Sequence, residues 1–354
     1  MLTEKKIKEY ARTCGADIVG ITSTERLKEL PKEMNPQYIF PEAKSIIVLG
    51  YRIFRGVFRG IEEGTWFASY NLMGYNGIRW VFQPVTMWNF TKIFENEGYE
   101  AIPVVDNFPW SNIDNLSPDL IGQDFINVNK TAYGEKEKYQ GKWSRAVDPS
   151  KPAPDIFIPF KLLAYAAGLG TIGHSGMFLT PEFGPRQMFS CVITDMPLKE
   201  DPLYEGQLCD NCMLCVKDCP VGAISSKEKV SINVAGKKVE WARVDFAKCS
   251  VSFHGGAKEY NPFMVTKEDE KGFSRQPYTE SMKYKLSPVN FDGRAIEGMR
   301  GCQMACFMHL ESQNKLKNTF KQPFRRKPAW VLTQKRQMSV DLPSQNIKKM
   351  TVDE

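Results

Sequence analysis

No run of about 18 consecutive apolar residues occurs in this 354-residue chain, so a transmembrane helix is not expected. The first residues, Met1-Leu2-Thr3-Glu4-Lys5-Lys6, carry no apolar signal core, and no twin-arginine pair precedes an apolar run. A cytoplasmic protein is the expectation. No repeat of solenoid length is present. A disulfide framework is also lacking: nine cysteines is an odd number, and the chain reads as a large cytosolic one. Charge of one sign is scarce, at a net +6, except between Lys315 and Lys349, where ten Lys or Arg face the single acid Asp341. Such a stretch can dock on nucleic acid, an acidic membrane surface or an acidic protein. Pro323, Pro328, Trp330 and Pro343 point instead to a tail that packs on its own protein. Nucleic acid is therefore not expected as a partner. What remains is ordinary for a soluble globular chain, with 42% apolar and 25% charged residues.

Ile7, Tyr10, Ala11 and Cys14 follow helical spacing, and Gly15 is placed to end that helix. Short buried strands are expected at 17–21, 45–49 and 101–105. An amphipathic helix is expected over 87–97, with Trp88, Phe90, Ile93 and Phe94 as its apolar residues. Residues 106–157, rich in Asn, Asp, Pro and Lys, read as loops. A helix over 160–167 closes at Gly168-Leu169-Gly170, and a strand follows at 187–194. This order predicts an α/β layer structure. Beyond residue 200 the chain becomes cysteine-rich, with short elements and charged loops. The expected divisions are an N-terminal α/β region (1–155), a segment completing that core (156–200), a cysteine-rich module (201–310) and a basic tail (311–354).

Seven of the nine cysteines lie in the last 150 residues. Cys209, Cys212, Cys215 and Cys219, followed by Pro220, have the bacterial ferredoxin spacing C-x2-C-x2-C-x3-C-P. Two-residue gaps let a tight loop wrap one corner of an iron–sulfur cube, and soft thiolates suit its iron. Zinc fits less well, because its four ligands usually come as two separated pairs. In two-cluster ferredoxins the fourth cysteine of such a run serves the other cluster. This places Cys209, Cys212, Cys215 and Cys306 on one cluster and Cys219, Cys249 and Cys302 on the second. The second is one thiolate short, since Met299 stands where a further cysteine would be. It is expected as [3Fe–4S], or as [4Fe–4S] with an open iron or a non-cysteine ligand. His254 and His309 are candidates for that ligand, although each is also readily a packing histidine. Cys14 and Cys191, on a helix and a strand, read as small buried hydrophobes.

The segment A-Y-A-A-G-L-G-T-I-G-H-S-G over 164–176, running on to Gly184-Pro185-Arg186, resembles the corrinoid-binding segment of reductive dehalogenases. More distantly, it resembles the A-G-L-G-x-x-G segment of epoxyqueuosine reductases. The T-D-M-P-L stretch at 194–198 is similar to the link before the ferredoxin run in both families. Residues 7–21, the region around Trp241 and Cys249, and the spacing Gly298-x3-Cys302-x3-Cys306 are similar to reductive dehalogenases as well. The resemblance implies an α/β fold with a nitroreductase-like core that holds a base-off cobalamin or other cobamide, and a ferredoxin-like module with two iron–sulfur clusters. The implied corrinoid contacts are Gly168, Leu169, Gly170, Gly173, His174 and Gly176, the glycines letting backbone approach a flat ligand. The chain departs from these families in four respects: it has no export signal, no helical-repeat domain, no evident tRNA module, and Phe307 where proline would follow Cys306.

The function implied is corrinoid-dependent reductive cleavage of a small organic substrate, with a low-potential ferredoxin or flavodoxin as electron donor. In the family a tyrosine backed by a cationic side chain supplies the proton. Tyr133, Tyr139 and Tyr165 are candidates for the tyrosine, and Lys161 and Arg186 for the cation. Asp155 lies near the acidic residue of epoxyqueuosine reductases. Rival readings are cleavage of an epoxide or ether methyl, a non-catalytic electron carrier to a corrinoid protein, and a redox sensor.

Overall fold

The structure, a computed structural model, describes residues 2–105, 146–152, 156–253, 257–262, 300–325 and 330–332. At its centre lies a four-stranded sheet of β1 (Ile18–Ser23), β2 (Ser45–Arg52), β3 (Ala101–Val104) and β6 (Gln187–Thr194), in the order β1-β2-β6-β3. All three pairings are antiparallel, with Val48 opposite Cys191 at the centre. Antiparallel sheets often leave one face wet, but here both faces are covered, so β2 and β6 read as nearly continuous apolar runs. Val19, Ile21, Ile47, Leu49 and Val192 point to one side, beneath α1 (Glu4–Thr13) and α3 (Gln83–Asn96). Ile18, Ile46, Val48, Cys191 and Ile193 point to the other, beneath α4 (Phe160–Ala166). The result is a three-layer mixed α/β core. Pro103 lies in β3 at the sheet edge, where a missing N–H costs least.

The helices follow their sequence signals. Thr3 Oγ1 accepts the Lys6 N–H at the start of α1, Ile7 and Ala11 are buried, and Gly15 (φ +121°) turns the chain away. On α3 the buried face is Met87, Phe90 and Phe94. Trp88, expected among the apolar residues of this helix, is instead 72% exposed, because the helix is apolar on more than one side and only one side meets the sheet. A short helix α2 (Arg59–Glu63) and two π-helical turns (Tyr70–Tyr75, Ile78–Phe82) join β2 to α3.

The region beyond residue 200 departs from expectation. In place of short elements it carries a long ribbon, β7 (Ile224–Val234) and β8 (Lys237–Val244), turning at Ala235-Gly236 with both φ positive. A register shift between Ile224 and Lys229 and the charged stretch around them hide its alternation. The ribbon is tied down by Ala235 N–H on Arg26 O and Ala242 N–H on His174 O, both 2.8 Å. The ladder of β4 (Thr171–Ile172) and β5 (Phe178–Leu179), with α5 (Leu214–Lys217), α6 (Phe246–Phe253) and α7 (Cys306–Ser312), completes the elements used below. After α7 the chain straps back over the core. Phe324 joins Phe58 and Phe307 in it, Arg55 pairs with Glu311, Arg325 with Glu62, and Trp330 Nε1 donates to Ile61 O at 2.9 Å.

Candidate functional site

None of the nine cysteines is in a disulfide. Asn211 (φ +56°) and Met213 (φ +61°) wind the chain tightly between Cys209 and Cys215 in a left-handed backbone that non-glycine residues seldom adopt. Cys212 is exposed, Cys215 buried. Cys306 opens α7 and packs with Cys209 against Leu179, Leu208, Leu310 and Leu316. Burial pushes the Cys306 thiol up, and repulsion from Cys209, Cys215 and Cys212 adds to it. Burial also lifts Cys215 to about 11, helped by Cys209 and Cys212. These four thiols therefore form one neighbourhood. A second forms around Cys302, which packs with Cys219, Cys215, Ala242 and Ile224, so that Cys215 stands where the two groups meet. Its thiol is raised to about 12 by burial first and Cys219 next, against the pull of the Lys161 ammonium. Lys161 in turn senses both Cys302 and Cys249.

The two neighbourhoods touch at Gly301. A Cβ there would lie 2.8 Å from Cys215 O and from Cys219 N, so only glycine lets the 300–305 turn lie against the cysteine loop. Backbone amides point at sulfur in both: His174 N–H to Cys209 Sγ at 3.4 Å, and Ala223 N–H to Cys219 Sγ at 3.3 Å. Crowded, buried thiols that raise one another's pKa ionise readily only when a cation shares their charge. Iron would supply that cation, and the amide donors would suit bridged thiolates. The donor set fits iron–sulfur clusters.

His309, a candidate ligand for the second cluster, lies beside the first neighbourhood. Its Nε2 is 2.8 Å from Asp210 Oδ2, close to Cys212, and Lys315 Nζ is 3.3 Å from the same oxygen. The His309 hydrogen bond, with Lys315, holds the Asp210 carboxyl at about 2. His254 and Met299 lie outside the described residues.

The glycine segment is built differently from its expected rationale. A Cβ at Gly168 would stand 2.0 Å from Pro202 O, one at Gly170 2.0 Å from Leu179 O, one at Gly173 3.0 Å from Leu179 Cδ1 and one at Gly176 3.1 Å from the Trp241 ring. The small faces of these glycines are filled by protein, so the fold itself requires them. Leu169 packs toward Gly20 of β1. His174 is a strut: its N–H reaches Cys209, its carbonyl takes Ala242 N–H and its Nε2 lies 3.0 Å from Ser225 O. What the segment leaves partly open is its edge at Ser175, Gly176 and Met177, where Lys161 Nζ donates to Gly176 O at 2.7 Å. Lys161 keeps open side-chain surface, yet the protein around its ammonium desolvates it and lowers its pKa. The open edge at Gly176, beside Lys161, is where the backbone of this segment stays accessible to a flat ligand.

Of the other candidates, Arg186 is 1% exposed and is held as a fastener. It donates to Ile53 O at 2.7 Å and Asn318 Oδ1 at 2.9 Å, between the rings of Phe307 and Phe320. Burial lowers its pKa to about 10, so it stays cationic at neutral pH. Arg186→Met is expected to destabilise the fold by about 2 kcal/mol, two acceptors losing their donor, which thermal unfolding would measure. Tyr165 is half-buried beside the α4 core, and burial raises its pKa. Tyr133, Tyr139 and Asp155 lie outside the described residues. One tyrosine escaped the sequence reading. Tyr70, on a π-helical turn, is buried and stacked on Phe58, and it senses Cys302. Burial holds its phenol protonated far above neutral pH. The only sequence signal was its aromatic neighbourhood, since π-turns have no simple periodicity.

Thiols gathered from distant parts of the sequence are what a cluster-bearing reductase requires, and reductases are what the comparisons with known proteins find. No family model matches the chain. A tetrachloroethene reductive dehalogenase of Sulfurospirillum multivorans is 37% identical over 93 residues, 24% of this chain and 18% of that protein. Epoxyqueuosine reductases match too: that of Gloeobacter violaceus is 27% identical over 39% of each chain, and that of Bacillus cereus 23% over 61% of this chain and 50% of its own. The chain spans at most half the length of these curated relatives. Among solved structures, the catabolic reductive dehalogenase NpRdhA gives a TM-score of 0.48 at 16% identity, covering 89% of this chain and 38% of that one. The relatives are thus reductases of two kinds. One epoxyqueuosine reductase among the solved structures holds a modified tRNA stem loop. No helix among the described residues is long and apolar enough to cross a membrane.

Proposed function

We propose that this chain is a corrinoid-dependent iron–sulfur reductase that cleaves a carbon–halogen bond of a small organic substrate. The observation that carries the reading is the adjacency of two thiol neighbourhoods at Gly301. Cys209, Cys212, Cys215 and Cys306 would hold one cluster, [4Fe–4S]. Cys219, Cys249 and Cys302 would hold the second, [4Fe–4S] or [3Fe–4S]. The edge of the 168–176 segment and Lys161 would hold a cobalamin or other cobamide. Bound there, these groups supply one-electron transfer and a low-potential metal centre for the bond cleavage.

The chain's own residues do the rest. Amide N–H groups of His174 and Ala223 withdraw charge from their sulfurs and favour the reduced clusters. Cys212, exposed, marks the edge where a small donor such as a ferredoxin or flavodoxin delivers electrons. Lys161 presents a positive charge to a departing anion or to a tyrosine. Tyr70, protonated at neutral pH, joins Tyr165, Tyr133 and Tyr139 as a candidate proton source.

A second reading is epoxide reduction on tRNA, favoured by the several epoxyqueuosine reductases among the sequence relatives. Incubating reduced, fully loaded protein with a panel of chlorinated and brominated arenes and alkenes, and separately with epoxyqueuosine-containing tRNA, distinguishes the two. Halide released in step with substrate loss supports the proposal. Turnover of the tRNA alone replaces it with the second reading.

A further inference from the structure

We propose that this chain rests on an anionic lipid surface through the outer face of α3 and the two π-helical turns before it. The proposal is independent of the reaction that the chain performs. It starts from a bias in sequence: residues 64–94 contain no Asp or Glu, and their only Lys and Arg are Arg79 and Lys92. The second π-turn runs directly into α3, and the joined helix is apolar on two sides. Met87, Phe90 and Phe94 are buried toward the sheet. Val81, Val85 and Trp88, at i, i+4 and i+7, form a second stripe, and that one is exposed. Trp80 and Phe82 are exposed beside it. Gly77 brings the first π-turn alongside: a Cβ there would lie 2.2 Å from Leu72 O and 3.9 Å from the Phe82 ring. Leu72 and the Met73 that follows it are exposed as well. Single apolar side chains are ordinary on a surface, whereas a contiguous group of this kind marks a face that something covers.

The two cations select the occupant. The Arg79 guanidinium lies 5.1 Å from the centre of the Trp80 ring, and the Lys92 ammonium 5.5 Å from that of Trp88. Lys92 is exposed, donates to Asn89 Oδ1 at 3.1 Å and pairs with no carboxylate among the described residues. An indole beside a cation suits the boundary of a bilayer, where the ring enters the acyl edge while its N–H and the cation stay among phosphates. A second copy of the chain suits the face less well. A two-fold contact would bring these cations together, with no acid in the stretch to answer them. Anionic headgroups answer them directly. No helix among the described residues is long and apolar enough to cross a membrane, so the attachment proposed is peripheral, with α3 lying flat.

The test is flotation of the full-length protein with vesicles of phosphatidylcholine alone and of phosphatidylcholine mixed with phosphatidylglycerol, at low and at high salt. Wild type is expected to float with the mixed vesicles, less so at high salt, and to stay below the neutral ones. Lys92→Glu should weaken partition onto the mixed vesicles by about fivefold or more. The double variant Trp80→Ser, Trp88→Ser should weaken it by about tenfold or more. Both variants alter exposed side chains, so their thermal midpoints are expected to match that of the wild type, which separates lost binding from lost fold. Wild type that stays below both kinds of vesicle overturns the proposal and leaves the face to a protein partner. Equal flotation of wild type and both variants overturns it too, since the membrane contact would then lie elsewhere. A solution dimer that the double tryptophan variant dissociates, with no flotation of either protein, overturns it in favour of a second copy.

Discussion

Cys219→Ser is expected to abolish the cluster of Cys249 and Cys302 and to spare the one held by its own sequence neighbours, whereas Cys306→Ser does the reverse. The crossing is the sharpest consequence of the geometry. Cys219 packs with Cys302 as well as with Cys215 and takes the Ala223 N–H, while Cys306 packs with Cys209, nearly a hundred residues away in sequence. Each variant should keep about four irons of about eight, with the surviving cluster recognised by its own resonance signal. Both variants should lose turnover by several orders of magnitude, since a chain of one-electron carriers fails with either link missing. Loss of the same cluster in both variants would mean that the thiols are grouped by sequence proximity instead.

Gly301→Ala should have an effect nearly as large through packing alone. The new methyl would meet Cys215 O and Cys219 N at 2.8 Å, backbone atoms that no side-chain rotation can move. The turn over 300–305 must then lift from the cysteine loop, separating Cys302 and Cys306 from their partners. A cost of about 3 kcal/mol is expected, read as a fall in thermal midpoint, together with loss of iron from both clusters. Gly222→Ala offers the control, because no atom lies within 4 Å of its Cβ position, although its φ of +59° adds local strain. It should keep its iron.

The core was legible where physics is local. β6 lies at 187–194, where a strand was expected, and β2 and α1 begin within a few residues of their signals. Their residues are buried on both sides or at clear helical spacing, so the pattern needs no tertiary context. The ribbon of β7 and β8 was illegible because Lys227, Glu228 and Lys229 are exposed on it and a register shift breaks the alternation. Trp88 misled because apolar character does not say which helix face meets the sheet. The cysteine run was legible as a motif, while the contact between its loop and Gly301 was not, since that closeness is made by the long return of the chain. The glycines at 168–176 were noticed for close backbone approach, and the sequence did not show that Pro202, Leu179 and Trp241 also press on them. Tyr70 lies buried on a π-turn and Lys161 is fixed on Gly176 O, arrangements that no periodicity announces.

The measurement that tests the central claim most directly is a count of iron, sulfide and cobalt per chain, on protein purified anaerobically after expression with cobalamin. The account predicts about seven or eight irons with matching sulfide and about one cobalt. Iron without cobalt, even after reconstitution, or zinc in place of iron, would contradict it.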